Sequence, residues 1–233
     1  MAHFTLYVLK GLWGPNPIKV AALLESLNLD YDVKALEFGS SDKATGVKGE
    51  DYLAICVNGR TPTLIDHKRN DFTVWESGAI LEYILDVYDT EHKFSGKTPE
   101  EKALISQWLF FQVTGHSPVQ GNLYFSNVYW KNAYQEEVPP TVIKRFSTEL
   151  DRVYKVYEKQ LSAQFAKYGE DKAWLVLDRP TAADFSAMGW LGLLPDIKDK
   201  LGVNTEQYPV LMKYVEKLRA QEGLAKVFAK LQH

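Results

Sequence analysis

Cysteine is almost absent: Cys56 is the only one in 233 residues. A single thiol excludes an internal disulfide, a zinc cluster and a CxxC redox pair, so thiol chemistry here needs Cys56 or a sulfur brought in from outside. Cys56 sits in the apolar patch Leu53-Ala54-Ile55-Cys56-Val57 and is expected to be a small buried hydrophobe. Charge of one sign is scarce too, since 27 Lys and Arg against 30 Asp and Glu leave a net charge of −3. No basic run dominates a segment, which argues against nucleic acid or an anionic membrane as partner. No apolar run approaches the ~20 residues of a membrane span. The opening MAHFTLYVLKGLWG is apolar, without a basic leader or a small-residue cleavage site, and a cytoplasmic location is expected.

What is present reads as two kinds of structure in succession. Phe4 to Leu9 is a β-prone run, Val20, Leu23, Leu24 and Leu27 share one face of a helix, and Tyr31 to Phe38 makes a second strand. Such a βαβ unit has parallel strands and a right-handed connection. After a polar loop from Gly39 to Glu50, the stretch Asn58 to Ile84 contains two short strands and a helix. Thr61-Pro62 opens the first of these strands, where a proline's missing N–H is tolerated. Ser77 precedes the helical pattern Ile80, Leu81 and Ile84 and is expected to be the N-cap, which makes a helix N-terminus available to an anion.

A break near residues 88–97 then separates a first domain, 1–90, from an all-helical second domain, 98–233. Thr98-Pro99-Glu100-Glu101 restarts the chain with the residues of a capping box. Helices are expected over Ala103–Val113, resuming near Asn122, then over Thr141–Tyr168, Thr181–Leu194 and Tyr208–Leu231. Thr181 and Asp184 are spaced to cap each other's end of the third of these.

In this order, a βαβ-ββα domain with TPTL at its third strand and WESGAI at its last helix, then a helical half with PTAAD, resembles the glutathione transferases. The segments GPNPIKV, VWESGAILEYI and Gln107 to Phe125 resemble most the bacterial nu class and the fungal relatives of the yeast nitrogen-catabolite regulator. The resemblance implies a thioredoxin-like α/β N-terminal domain, an all-α C-terminal domain, a homodimer, glutathione as substrate and no metal. It also implies a glutathione transferase or glutathione-dependent disulfide-bond oxidoreductase, whose second substrate is a small electrophile, a peroxide or a disulfide. A glutathione-binding regulator or ligand carrier with weak catalysis is the alternative. In the nu-like group the site can hold two glutathiones or their disulfide.

Each end of glutathione asks for a different partner. By resemblance, Ser77 takes the γ-glutamyl carboxylate, Glu76 the ammonium, and the backbone of Thr61, before a cis Pro62, pairs with the cysteinyl unit like an added strand. Lys48 and Arg60 are the candidates for the glycine carboxylate, with Asn58 a neutral third. The thiol must become a thiolate well below its usual pKa near 8.5. Tyr7 lies inside the first strand and is expected to pack against a neighbour. The loop Gly11 to Pro17 carries no Ser, Tyr or Cys, so Asn16 takes the catalytic role by resemblance, donating from its amide while its oxygen caps the helix. Gly14 stands where some nu-class enzymes have a Thr that also reaches the sulfur. Trp13, Phe111, His116 and Tyr124 belong to an aromatic-rich set of which a few are expected around the second substrate and the rest in the core, with Gln112 and His116 the candidate polar contacts and a structural role the alternative for the histidine.

Overall fold

The structure is a computed structural model that describes residues 2–11 and 13–231. These residues form two units, Met1–Ser95 with Arg219–His233, and Gly96–Leu218.

The first unit is built on a sheet of four strands, β1 (Phe4–Leu9), β2 (Tyr31–Leu36), β3 (Thr63–Asp66) and β4 (Phe72–Trp75), in the order β2-β1-β3-β4. β2 runs parallel to β1, as a βαβ crossover requires, and β3 and β4 run antiparallel to their neighbours. Central position explains the composition of β1. Phe4, Leu6 and Val8 are all 0% exposed on one face, while Tyr7 on the other packs with Leu36, Val47, Tyr52 and Cys56. Helix α1 (Pro15–Ser26) and helix α3 (Ser77–Tyr88) belong to this unit, together with the short α2 (Glu50–Leu53). Strand β2 stops at Leu36, two residues before its expected end. Gly39, at φ 67°, turns the chain there and leaves Phe38 84% exposed.

The second unit is helical: α4 (Pro99–Phe110), α5 (Ser117–Val128), α6 (Trp130–Tyr134), the long α7 (Pro140–Tyr168), α8 (Ala182–Leu191), α9 (Leu194–Leu201) and α10 (Pro209–Arg219). Between α4 and α5 the backbone does not leave the helix, as the sequence pattern suggested, but widens into π-helical turns over Phe111–His116. The Ser117 N–H reaches back to the Gln112 carbonyl, and this wider turn gives room to Pro118, which has no N–H to donate. Both expected caps form. Thr98 Oγ1 accepts from the Glu101 N–H at 3.3 Å, and the Asp184 carboxylate accepts from the Thr181 N–H at 2.8 Å.

The expected second domain ran to residue 233, and here the structure differs. Helix α11 (Glu222–Leu231) belongs with the first unit and lies against α1. Gly223 makes this possible: a Cβ on it would stand 2.2 Å from Ser26 Oγ and 2.4 Å from the Ala22 carbonyl oxygen. Lys230 reaches Glu25 across the same contact. The helical pattern from Tyr208 onward gave no sign that it breaks after Arg219.

Candidate functional site

Three ends of secondary structure converge in the first unit: the start of α1, the turn that enters β3, and the start of α3. Between them lies a cleft of about 320 Å³ lined by Asn16, Asn58, Arg60, Thr61, Pro62, Trp75, Glu76 and Ser77. Sheet order explains the convergence. The C-terminal end of β1 delivers the chain to α1, and antiparallel β3 starts beside that end, at Thr63 opposite Tyr7. β4 then returns Trp75 to the same level, opposite Thr63, and hands over to α3.

Helix α3 opens differently from the expectation. Glu76, not Ser77, is the residue before the helix, at φ 70° and ψ 113°, and its carbonyl accepts from the Ile80 N–H at 2.9 Å. Ser77 is the first helical residue and is 5% exposed. The anion-binding potential of the helix start is unchanged, because the first-turn N–H groups of a helix have no acceptor within it. A non-glycine residue at positive φ costs on the order of 1–3 kcal/mol, and strain of this kind clusters at ligand sites. It holds Glu76 at the rim of the cleft, where Asn58 Nδ2 donates to Glu76 Oε1 at 3.5 Å.

Asn16 is likewise displaced from its expected cap position. Gly14, at φ 79° and ψ 164°, precedes the helix, Pro15 is its first residue and Asn16 its second. The Asn16 side chain therefore belongs to the first turn and lines the cleft from there. Gly14 supplies the positive φ that this entry needs, which a threonine would resist.

The third wall is the segment from Asn58 to Thr63. Its Thr61-Pro62 peptide is cis. Tyr52 braces it from below, donating to the Arg60 carbonyl at 2.7 Å and meeting Thr63 Oγ1 at 2.8 Å. Cys56 lies in the same packing, 1% exposed, with Sγ 3.5 Å from the Arg60 carbonyl oxygen. Arg60 is exposed at the cleft, whereas Lys48 is outside the lining and donates to the Asn58 carbonyl at 3.0 Å. Tyr7 is 7% exposed and packs against the Tyr52 ring, with centroids 5.2 Å apart. Trp75 was not anticipated. Its place at the end of an edge strand, level with Thr63, follows only from the sheet register.

The residues expected around a second substrate divide between the units, and two are sealed from solvent. Trp13 is half-buried in the first unit; Phe111 and Tyr124 are half-buried in the second. Gln112 and His116 are both 0% exposed. Gln112 accepts from the Ser186 hydroxyl at 2.8 Å. The His116 ring meets Gln120 Oε1 at 2.7 Å and the Tyr157 hydroxyl at 3.1 Å. Gln120 Oε1 can only accept, so His116 Nε2 donates to it and Nδ1 accepts from Tyr157. Placed on the inner side of the π-helical turns, both are consumed by packing, and this counts against their contacting a ligand. Among the described residues no group of three or more His, Cys, Asp or Glu is placed to hold a metal ion, and no helix is long and apolar enough to cross a membrane.

Known proteins share the family and the fold of this chain. The family model of the glutathione S-transferase N-terminal domain matches residues 4–86, and that of the C-terminal domain matches residues 104–222. Glutathione S-transferase 2 of Schizosaccharomyces pombe is 40% identical over 82% of this chain and 75% of its own. The glutathione transferase URE2P6 of Phanerochaete chrysosporium, solved with oxidized glutathione, superposes with a TM-score of 0.83 at 37% identity, over 99% of this chain and 97% of that one. The nitrogen regulation fragment of the yeast prion protein Ure2p superposes with a TM-score of 0.83 at 26% identity, over 97% and 95%. A four-stranded thioredoxin-like unit, a helical unit, and matches spanning nearly the whole length of both make this chain a member of the glutathione S-transferase family.

Proposed function

We propose that the cleft binds glutathione and that the enzyme uses its thiolate to attack a disulfide, a peroxide or an electrophilic carbon. The observation that carries the reading is the meeting of Asn16, Thr61, Glu76 and Ser77, from three separate elements, around one cleft. In this reading the first turn of α3 and the Ser77 hydroxyl take the γ-glutamyl carboxylate, and Glu76 takes the ammonium. The Thr61 backbone pairs with the cysteinyl unit, and Arg60, at the cleft, is favoured over Lys48 for the glycine carboxylate. Asn16 donates to the sulfur from the first turn of α1. A hydrogen bond to the charged form and the positive end of the helix both lower the thiol pKa. The thiolate then attacks one sulfur of a disulfide, the S–S bond breaks, and the departing thiolate takes up a proton. A second glutathione resolves the mixed disulfide to oxidized glutathione, the ligand held by the Phanerochaete relative. The working form is a homodimer in the cytoplasm, where glutathione is kept reduced.

Turnover with glutathione against a mixed disulfide, cumene hydroperoxide and an aryl halide tests this, for wild type and Asn16→Ala. A rate with at least one substrate, falling about tenfold or more in Asn16→Ala, is the expected result. Unchanged rates in the variant would remove Asn16 from the mechanism. Tight glutathione binding without turnover by wild type would instead favour a regulatory role, a reading supported by the likeness to the nitrogen regulation fragment.

A further inference from the structure

The end of the sheet away from the cleft carries a second group of reactive side chains. The Thr5 hydroxyl, on β1, meets His67 Nε2 at 2.8 Å, and His67 Nδ1 meets Asp71 Oδ1 at 2.6 Å. A carboxylate oxygen only accepts, so Nδ1 carries a proton and donates to Asp71. In the neutral ring Nε2 then keeps its lone pair and accepts from the Thr5 hydroxyl. Hydroxyl, imidazole and carboxylate thus stand in the order and at the spacing by which a nucleophile, its general base and the group that orients the base are recognised.

The fold holds each member in place. The His67 N–H donates to the His3 carbonyl at 3.1 Å, which pins His67 beside the start of β1. A 3-10 turn over His67–Arg69, followed by Asn70 and Asp71 at φ 56° and 55°, folds the chain back so that Asp71 returns to the His67 ring. Thr5 pairs with Asp32 of β2 and Ile65 of β3, which places these three on the face of the sheet that also carries Tyr7. Tyr7 is covered by Tyr52 and the residues packed with it. At the level of Thr5 the face opens to solvent: Asp32 is exposed, and Thr5, Ile65 and His67 are only half-buried.

We infer that Thr5, His67 and Asp71 form an acyl-transfer site for small uncharged acyl groups carried by activated esters and thioesters, with Thr5 the nucleophile, His67 the general base and Asp71 the positioning residue. Thr5 Oγ1 forms a bond to the acyl carbon and gives its proton to His67 Nε2. The bond from that carbon to the leaving oxygen or sulfur breaks, and the leaving group takes the proton from His67. Water, deprotonated by His67 in the same way, then releases the carboxylic acid and restores Thr5. The Asp32 carboxylate beside Thr5 opposes an anionic acyl group. Lys34, next along β2 on the same face with Nζ 5.3 Å from the Tyr7 ring centre, is the cation available to the developing oxyanion. None of these steps uses glutathione, so the site stands independently of the cleft.

The test is acetylation by p-nitrophenyl acetate in the absence of glutathione, read by p-nitrophenol release and by peptide mass mapping after an acid quench in the first turnovers. Wild type should carry the acetyl group on Thr5, and Thr5→Ser should keep it at that position. Thr5→Val should lose the initial burst of p-nitrophenol. His67→Gln should slow acetylation of Thr5 by about 100-fold, the lower end of what a general base contributes. Asp71→Asn, whose amide can donate to Nδ1 and turn the tautomer round, should slow it by about tenfold or more. Far-UV circular dichroism and urea midpoints identify the folded variants. Acetyl groups confined to lysines in wild type, or an unchanged rate of Thr5 acetylation in folded His67→Gln or Asp71→Asn, would overturn the site.

Discussion

The Tyr52 hydroxyl donates to the Arg60 carbonyl at 2.7 Å while meeting Thr63 Oγ1 at 2.8 Å, so one phenol ties together both flanks of Thr61-Pro62. Tyr52 is 3% exposed and does not line the cleft, yet it aligns the backbone proposed to pair with glutathione. Tyr52→Phe should leave the fold intact, lower its stability by about 1–2 kcal/mol and weaken glutathione binding roughly fivefold, close to the net worth of one hydrogen bond. Denaturant unfolding and titration of the same samples check both figures.

Glu76 combines a strained backbone with a proposed ligand contact. In Glu76→Gly the strain at φ 70° disappears, and after the entropy cost of glycine the fold should gain about 1 kcal/mol while glutathione binding falls. Glu76→Ala should lose binding without that gain. A less stable glycine variant, measured by urea midpoint, would refute the strain argument.

Asn16→Asp separates charge from shape at the proposed sulfur site. A carboxylate there opposes a thiolate, so the pH–rate profile should move up by about one unit or more and the rate at pH 7 should fall below that of Asn16→Ala. Direct titration of bound glutathione by thiolate absorbance reads the same shift.

Asp184 is fully buried and accepts from the Thr181 N–H at 2.8 Å, the Leu175 N–H at 2.9 Å and the Tyr214 hydroxyl at 2.6 Å. Asp184→Ala orphans these donors and the Thr181 hydroxyl, which also donates to Asp184 at 3.0 Å, and removes the α8 cap, which should cost at least about 3 kcal/mol. Near-UV circular dichroism and equilibrium unfolding would show the loss.

Asp89 gives an acid limit with a definite sign. Burial pushes its pKa up, but the N–H groups of Phe94, Lys93 and Ser95, each at 2.8 Å, outweigh burial and hold the carboxyl below its usual range. A carboxylate with a depressed folded pKa contributes fully above its unfolded value of about 3.9, and the contribution is lost as pH falls through the folded pKa. Stability should therefore fall steeply below about pH 4, and Asp89→Asn should flatten that fall from a lower starting value. Urea midpoints measured from neutral to acid pH would show whether it does.

Local signals were readable in the sequence wherever neighbours along the chain decide the structure. The parallel pairing of β1 with β2, the Thr98 and Thr181 caps, the burial of Cys56 and the packing of Tyr7 rather than its exposure follow from spacing and residue type. The starts of α1 and α3 were misplaced because the positive φ of Gly14, which glycine adopts freely, and of Glu76, which its own side chain disfavours, set where each helix begins in place of the capping preference of Asn16 and Ser77. Gln112 and His116 looked like ligand contacts on an aromatic segment. A single widened turn instead directs them inward, onto Ser186, Gln120 and Tyr157.

Taken alone, the sequence determined the order of the elements and an α/β half followed by a helical half, because these are written in periodicity and turn chemistry; Arg60, Thr61, Glu76 and Ser77 were singled out through the family resemblance that the short motifs carry. Tertiary structure alone decided that α11 returns to α1 through Gly223, that Trp75 reaches the cleft and that Tyr52 braces its wall. It also decided that Lys19, on α1, is fully buried. These depend on which residues meet across the fold, where charge, burial and backbone strain are set by distant partners that no local pattern specifies.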